Sequence, residues 1–221
     1  MKKIFLLIPT ILILLNSCAQ TNNKESFEGI ITYKISVESN TENEVYNDYQ
    51  KQKYGDTLKV YITKDGSFKR EYLNSGIKGF SFFNYNSSTN KSYTKWKNID
   101  TIYSFNCQEN SLSLLKEKKM KNESIMGQNC LGYFISAVSP KGGQQVSLSY
   151  FYPKDKEYIN PTLYENYNDF FYNKIIEEMK APFYKLIMNM GNYIVTFEIV
   201  KIEPTEIQKE VLLLPPNIPI K

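Results

Sequence analysis

The chain has 221 residues with 27 Lys and Arg against 23 Asp and Glu, and it contains no histidine. A chain without histidine has no Ser-His-Asp or Cys-His catalysis, no histidine metal site and no proton transfer through imidazole. The formal net charge of only +4 argues against nucleic acid as a partner.

The first segment is typical of an export signal. Lys2 and Lys3 precede an apolar run from Ile4 to Leu15. A membrane-spanning helix needs roughly 20 apolar residues, so this run is too short to span a bilayer and fits the apolar part of a signal peptide. We therefore predict that residues 1–17 are a signal peptide.

The end of that signal, LNSC, resembles the lipobox of bacterial lipoproteins, in which the cysteine becomes the first mature residue. The resemblance implies lipidation of Cys18 by acyl chains such as palmitate, and two or more chains give stable membrane anchoring. A soluble secreted protein with an unusual cleavage site is the alternative. Residues 18–26 are polar and predict a flexible tether. No Asp or acidic cluster follows Cys18, which favours the outer membrane and its periplasmic face.

The mature chain is dominated by strand signals. Alternation of apolar and polar residues, as in ITYKISV, predicts nine to eleven short, mostly antiparallel strands. Asn40–Lys53 is polar and predicts a loop, and residues 109–123 predict a short helix or a loop. One amphipathic helix is expected after Asn168 or Asp169, with apolar residues at i, i+4 and i+8 and a stop at Pro182.

These elements predict a single domain over residues 27–221. Its fold class is α+β and strand-rich, with a curled antiparallel sheet and one or two capping helices. A sheet of this many strands must curl or close in order to bury its apolar face.

Cys107 and Cys130 remain after Cys18 is assigned to the lipid anchor. The cell envelope is oxidising, so a disulfide between them is one interpretation. Two separate free thiols are the other.

The strand pattern resembles LolA-like envelope lipoproteins, near the GLPGLI-type lipoproteins of Bacteroidota. The similar stretches are FEGIITYKI, NESIMGQNCLGYFI, SYFYP followed by INPTLYENYN, and YIVTFEIVKIEP before LLLPP. The GLPGLI signature itself is absent, so the resemblance concerns the fold. It implies an incomplete β-barrel with helices over its concave side, which in carriers of this shape is apolar and holds acyl chains.

The resemblance makes the inward aromatic residues Phe80, Phe82, Tyr150 and Phe197 candidates for ligand binding. The alternative is that these side chains fill a solid core. No residue pattern predicts catalysis, a metal site or a cofactor. We therefore expect a non-enzymatic lipoprotein, anchored in the membrane, that binds a lipid or another hydrophobic small molecule. The alternatives are a structural or interaction module for another envelope protein and, more weakly, a hydrolase of envelope polymer.

Overall fold

A computed structural model describes residues 25–140, 142–143, 145–154 and 156–221. The predicted signal peptide, the lipidation site Cys18 and most of the predicted tether lie outside the described residues. The strands are β1 Gly29–Ser39, β2 Thr57–Ile62, β3 Phe68–Leu73, β4 Phe80–Asn86, β5 Lys91–Trp96, β6 Ile102–Asn106, β7 Ser113–Ile125, β8 Gln128–Val138, β9 Gln145–Pro153, β10 Lys185–Asn189 and β11 Tyr193–Pro204. The α-helices are α1 Glu44–Tyr54 and α2 Tyr172–Met179, and short 3₁₀ segments lie at Pro161–Tyr164, Asp169–Phe171 and Lys209–Leu212.

The eleven strands form one antiparallel sheet in the order β6-β5-β4-β3-β2-β1-β11-β10-β9-β8-β7. The first and last strands pair with each other along their whole lengths, from Gly29 opposite Pro204 to Ser39 opposite Tyr193. From this central pair the sheet extends as a meander to β6 on one side and to β7 on the other.

The connection between the two edge strands requires the sheet to curl. Ten spacings of ~4.8 Å would separate the edges of a flat sheet by about 48 Å. Only residues 107–112 join Asn106 of β6 to Ser113 of β7, and a fully extended connection of that length spans at most about 25 Å. The edges must therefore approach each other, and the sheet is an incomplete barrel.

The segment from Pro161 to Met179, called the lid here, lies across the concave side and contacts both edges. The amide of Asn168 donates to the carbonyl of Cys107, just after β6, over 2.7 Å. On β7, Glu117 pairs with Lys174 of α2 at 2.7 Å. The predicted fold class, a strand-rich curled antiparallel sheet with capping helices, is confirmed.

The predicted amphipathic helix is α2, and it begins at Tyr172. Phe170 and Phe171 have positive φ angles of 51° and 58°, so the chain makes a sharp turn before the helix. Ile175 and Met179 of α2 are buried, as the i, i+4 spacing predicts.

Two predictions about local structure are wrong. The segment predicted as a loop over Asn40–Lys53 is mostly α1, Glu44–Tyr54, whose first turn is capped by the side chain of Asn43. Its sequence is polar on almost every side, since only Gln50 and Tyr54 are buried, so it has little apolar periodicity. β7, Ser113–Ile125, replaces most of the short helix or loop predicted over residues 109–123; it is an exposed edge strand and therefore lacks alternation.

The disulfide interpretation is not met, because Cys107 and Cys130 are both free and buried in the structure. Cys107 follows the edge strand β6, whereas Cys130 lies in β8 near the opposite edge, paired with Pro153. The two thiols therefore lie in separate parts of the sheet. Burial raises the pKa of each thiol, which keeps both in the less reactive protonated form.

The C-terminal residues cover the outer face and one edge of the sheet. The carbonyls of Val211 and Leu212 accept hydrogen bonds from Lys69 and Asn84 on the outer face. Ile220 pairs with Ile102 of β6 as a short parallel bridge. The proline-rich tail thus shields an edge that would otherwise expose unpaired backbone groups. No helix in the described part of the chain has the length and apolar character to cross a bilayer.

Candidate functional site

A cavity of about 270 Å³ lies between the concave face of the sheet and the lid. Its lining is mostly aromatic and aliphatic, and it comes from α1, from strands on both halves of the sheet and from the lid. A water molecule needs roughly 10–15 Å³ of such space, so the cavity is much larger than an ordinary packing defect. A second groove of about 410 Å³, beside Lys51 and Asp56, is shallow and open to solvent.

Three of the four aromatic residues predicted to face inward line this cavity, namely Phe80, Tyr150 and Phe197. Phe82 does not. The pairing of β4 with β5 shifts its register between Phe80 and Phe82, so the two residues no longer share a face. The ring of Phe82 lies on the outer side instead, 5.3 Å from the ammonium of Lys69. A role of the other three in ligand binding stays a prediction.

One wall of the cavity is a row of directly paired residues on neighbouring strands. Leu186 of β10 is opposite Tyr150 of β9 on one side and opposite Phe197 of β11 on the other. Side chains that are paired in this way project from the same face of a sheet. The row forms a continuous apolar surface.

A second group of aromatic residues forms the wall beside α1. Tyr54, at the end of α1, lies 5.5 Å from the ring of Phe80 and 6.3 Å from that of Phe197, between centroids. Trp96 packs behind Phe80, with the ring planes tilted by 31° and the centroids 4.1 Å apart. Tyr54 directly follows the segment predicted as a loop, Asn40–Lys53, and no sequence pattern placed it beside the cavity.

The lid covers the cavity with Asp169, Phe170 and Tyr172. Phe170 is 41% exposed although it is a large apolar residue. Its left-handed backbone conformation is unusual for such a side chain. Phe183, just after the lid, also lines the cavity and stacks on Tyr33 of β1 at 4.6 Å.

Arg70 is the basic side chain of the cavity lining. It lies in β3 between Phe68 and Tyr72, at the inward positions of the strand. Its guanidinium carbon is 5.0 Å from the centre of the Phe68 ring and 5.4 Å from that of Phe83, within the range of cation–π attraction. Arg70 is not among the residues predicted to bind a ligand, although period-two alternation in FKREY places it on the same face as Phe68 and Tyr72.

The tyrosines around Arg70 are neutral at physiological pH. Burial raises the pKa of Tyr72, Tyr150 and Tyr172 above the ordinary value. Asp169 is the carboxylate of the lining, and burial raises its pKa as well. The five ion pairs found among the described residues include neither Arg70 nor Asp169.

The geometry suits the binding of an apolar molecule. Aromatic and aliphatic surfaces enclose the space, and the polar groups are few and separated, as in typical small-molecule sites. In the described part of the chain, no group of three or more Cys, Asp or Glu side chains is arranged to hold a metal ion.

No protein-family model matches the chain, and no curated protein matches it. Among solved structures, the crystal structure of the Mycobacterium tuberculosis lipoprotein LppX is similar in fold. The similarity covers 82% of this chain and 90% of that one, with 8% sequence identity and a TM-score of 0.36. At this TM-score the likeness carries no inference about function. Kinship with GLPGLI-type lipoproteins stays a prediction.

Proposed function

We propose that this protein is a non-enzymatic, membrane-anchored envelope lipoprotein that binds a hydrophobic ligand, a lipid or an acyl chain, between its sheet and its lid. The observation that carries the proposal is the apolar cavity of about 270 Å³. Small-molecule sites usually measure ~300–1,000 Å³, so this volume suits one single-chain ligand better than a lipid with two chains.

The location rests on the sequence. Lipidation of Cys18 would anchor the protein, and the residues after it favour the periplasmic face of the outer membrane. A tethered protein of this kind would receive, sense or protect a ligand near the membrane. The premise is tested by Cys18→Ser in the full chain followed by cell fractionation. We expect loss of lipid labelling on the protein and its departure from the membrane fraction, and retention of the label would contradict the anchor.

The ligand itself is tested with the full chain, purified in detergent and then extracted with solvent. Mass spectrometry of the extract measures lipid released per protein. The variant Met188→Trp fills the cavity, since Met188 is part of its lining. The matched control is Met126→Trp, because Met126 is 62% exposed on a turn between β7 and β8. Both variants carry the same lipid anchor, and since that anchor is covalent it does not count as lipid released by the solvent.

We expect stoichiometric lipid from the wild type and from Met126→Trp, and a loss of most of it from Met188→Trp. Equal lipid from all three proteins would show that it comes from the detergent micelle. No lipid from the wild type, and no uptake from added lipid extracts, would contradict the proposal.

A second candidate function is an interaction module for another envelope protein. It is favoured by apolar side chains exposed on the two edge strands, with Phe105 of β6 54% exposed and Leu115 of β7 55% exposed. Exposed apolar side chains are typical of surfaces that bind a partner, and β7 offers the uncovered backbone edge, since the tail pairs with β6. An empty wild-type cavity would shift the assignment to this function.

A further inference from the structure

Arg70 has no counter-ion among the residues that the structure describes. In the described part of the chain it belongs to none of the ion pairs, and the tyrosines nearest to it are neutral. The hydroxyl of Tyr172 interacts with it, and two phenyl rings lie against it. These groups supply no negative charge.

Arg70 is half-buried, and a partly buried guanidinium without an ion pair carries a desolvation cost. Arginine has five N–H donors in a planar fork, and the hydroxyl of Tyr172 is a single acceptor. Most of the N–H donors of Arg70 are therefore available to hydrogen-bond a bound molecule. A fork of this shape binds carboxylate with two parallel hydrogen bonds, which are stronger than bonds between neutral groups.

The position of Arg70 relates it to the cavity directly. It lines the 270 Å³ cavity and also a small void of about 30 Å³ beside Ile176 and Phe183. The small void has room for only about two water molecules. The large cavity continues from Arg70 along the apolar row of Tyr150, Leu186 and Phe197.

We propose that Arg70 binds the anionic head group of the ligand, and that the ligand is a single-chain amphiphile with a carboxylate head and an apolar tail. This inference rests on the proposed function, since it names the class of ligand for the same cavity. The carboxylate takes the place of the missing counter-ion, and the chain lies along the apolar row. Hydration of Arg70 by water in the cavity is the competing explanation.

The test compares dodecanoate with dodecanol, which share a chain and differ in charge. The full chain is titrated in neutral maltoside micelles, and binding is followed by the fluorescence of Trp96, whose ring centroid lies 4.1 Å from that of the cavity residue Phe80. The variants are Arg70→Met, which removes the charge, and Arg70→Lys, which keeps the charge without the fork. The control is Lys34→Met, which removes an equal charge from an exposed residue on the outer face of β1.

We expect Arg70→Met to weaken dodecanoate binding by roughly tenfold or more, the effect of losing a charged hydrogen bond. Dodecanol binding should change little. Arg70→Lys should fall between the wild type and Arg70→Met, and Lys34→Met should match the wild type for both ligands. Arg70→Met should melt at the same temperature as the wild type or higher, because it removes a half-buried charge that has no ion pair among the described residues. If that variant fails to fold, Arg70→Gln provides the same comparison.

The two proposals fail in distinguishable ways. If the wild type binds dodecanol and dodecanoate equally, Met188→Trp blocks both, and Arg70→Met changes neither, the head-group proposal is overturned and the cavity proposal stands. If the wild type binds neither ligand, the cavity proposal fails and the head-group proposal fails with it. Equal weakening of both ligands by Arg70→Met would assign Arg70 to the shape of the cavity and overturn its role as an anion contact.

Discussion

Met126 and Gly127 form the two-residue turn of the β7–β8 hairpin, in which Ile125 pairs with Gln128. Their φ angles are 48° and 71°. A turn with both central residues at positive φ favours Asn-Gly, because most side chains crowd the backbone in this conformation. Met126 is therefore a residue whose backbone preference disagrees with its position.

Replacing Met126 tests this disagreement between residue type and backbone conformation. We expect Met126→Asn to raise the free energy of unfolding by about 0.5–1 kcal/mol, since asparagine tolerates the left-handed conformation. The measurement is equilibrium unfolding in urea. Met126 is 62% exposed, so the substitution removes little packing.

The companion variant Gly127→Ala should lower the free energy of unfolding by about 1 kcal/mol. An added Cβ at Gly127 meets no atom within 4 Å, so the effect isolates the backbone. Unchanged stability in both variants would show that the turn adopts another conformation in solution.

At the scale of elements, β7 stands out because it is long, exposed and rich in lysine. Its free edge would offer unpaired backbone groups to other chains, and lysine on an edge strand discourages such pairing. Lys116 and Lys121 are both exposed there. The lysines of β7 interrupt the alternation by which a strand is recognised in the sequence. In the folded protein the same lysines discourage pairing of the free edge with other chains.

We therefore expect the double substitution Lys116→Val with Lys121→Val to promote aggregation of the folded protein. The control is Lys34→Val with Lys91→Val, which makes the same change at exposed positions on strands that are paired on both sides. Light scattering over time at fixed concentration measures the difference. Equal aggregation of the two variants would mean that hydrophobicity alone, and not the free edge, is responsible.

The contact between the lid and β7 depends on charge. Glu117 accepts hydrogen bonds from Lys174 of α2 and from the hydroxyl of Tyr133. The bond from Lys174 is the main reason that the pKa of Glu117 lies below its ordinary value of 4.5. A carboxyl whose pKa is lower in the folded state stabilises that state above the unfolded pKa, and the contribution is lost as pH falls through the folded pKa.

Acidification below pH 4.5 should therefore cost the wild type more stability than it costs Glu117→Gln. The difference should stay below about 1 kcal/mol, because Glu117 is an exposed residue and solvent screens the pair. Urea unfolding at several pH values measures it. The control is Glu177→Gln, which removes an exposed carboxyl from α2, the helix that contains Lys174. Its loss of stability on acidification should match that of the wild type.

At the scale of the whole molecule, the pairing of β1 with β11 joins the two ends of the domain at the centre of the sheet. The lid then connects the two edges, through Cys107 on one side and Glu117 on the other. No group of strands is separate from the rest in this arrangement. We therefore expect residues 27–221 to fold and unfold as a single domain.

We expect one cooperative unfolding transition. The single tryptophan, Trp96, reports on β5 near one edge of the sheet, whereas far-ultraviolet circular dichroism reports on the whole sheet. The two signals should change at the same denaturant concentration, since coincident transitions are the test of two-state unfolding. Separate midpoints would contradict the single domain and indicate that the two halves of the sheet unfold independently.

Much of this fold follows from local pattern. Strands with one buried face show period two, as in β1, where Ile31, Tyr33 and Ile35 are buried and their neighbours are not. The amphipathic helix α2 was predictable for the same reason. The two elements that the sequence did not predict, α1 and β7, bury little surface. Alternation of apolar and polar residues arises only where one face of an element is buried, so these two lack it.

The amino-acid sequence alone establishes the class of the fold and the absence of histidine chemistry, and it predicts the export signal. The folded structure adds that the concave side holds a cavity, that Phe82 faces outward, and that Arg70 lines the cavity and belongs to no ion pair among the described residues. Alternation along one strand shows which side chains share a face. Whether the faces of many strands leave a space between them depends on the curl of the sheet, the register of each pair and the position of the lid, and no single strand contains that information.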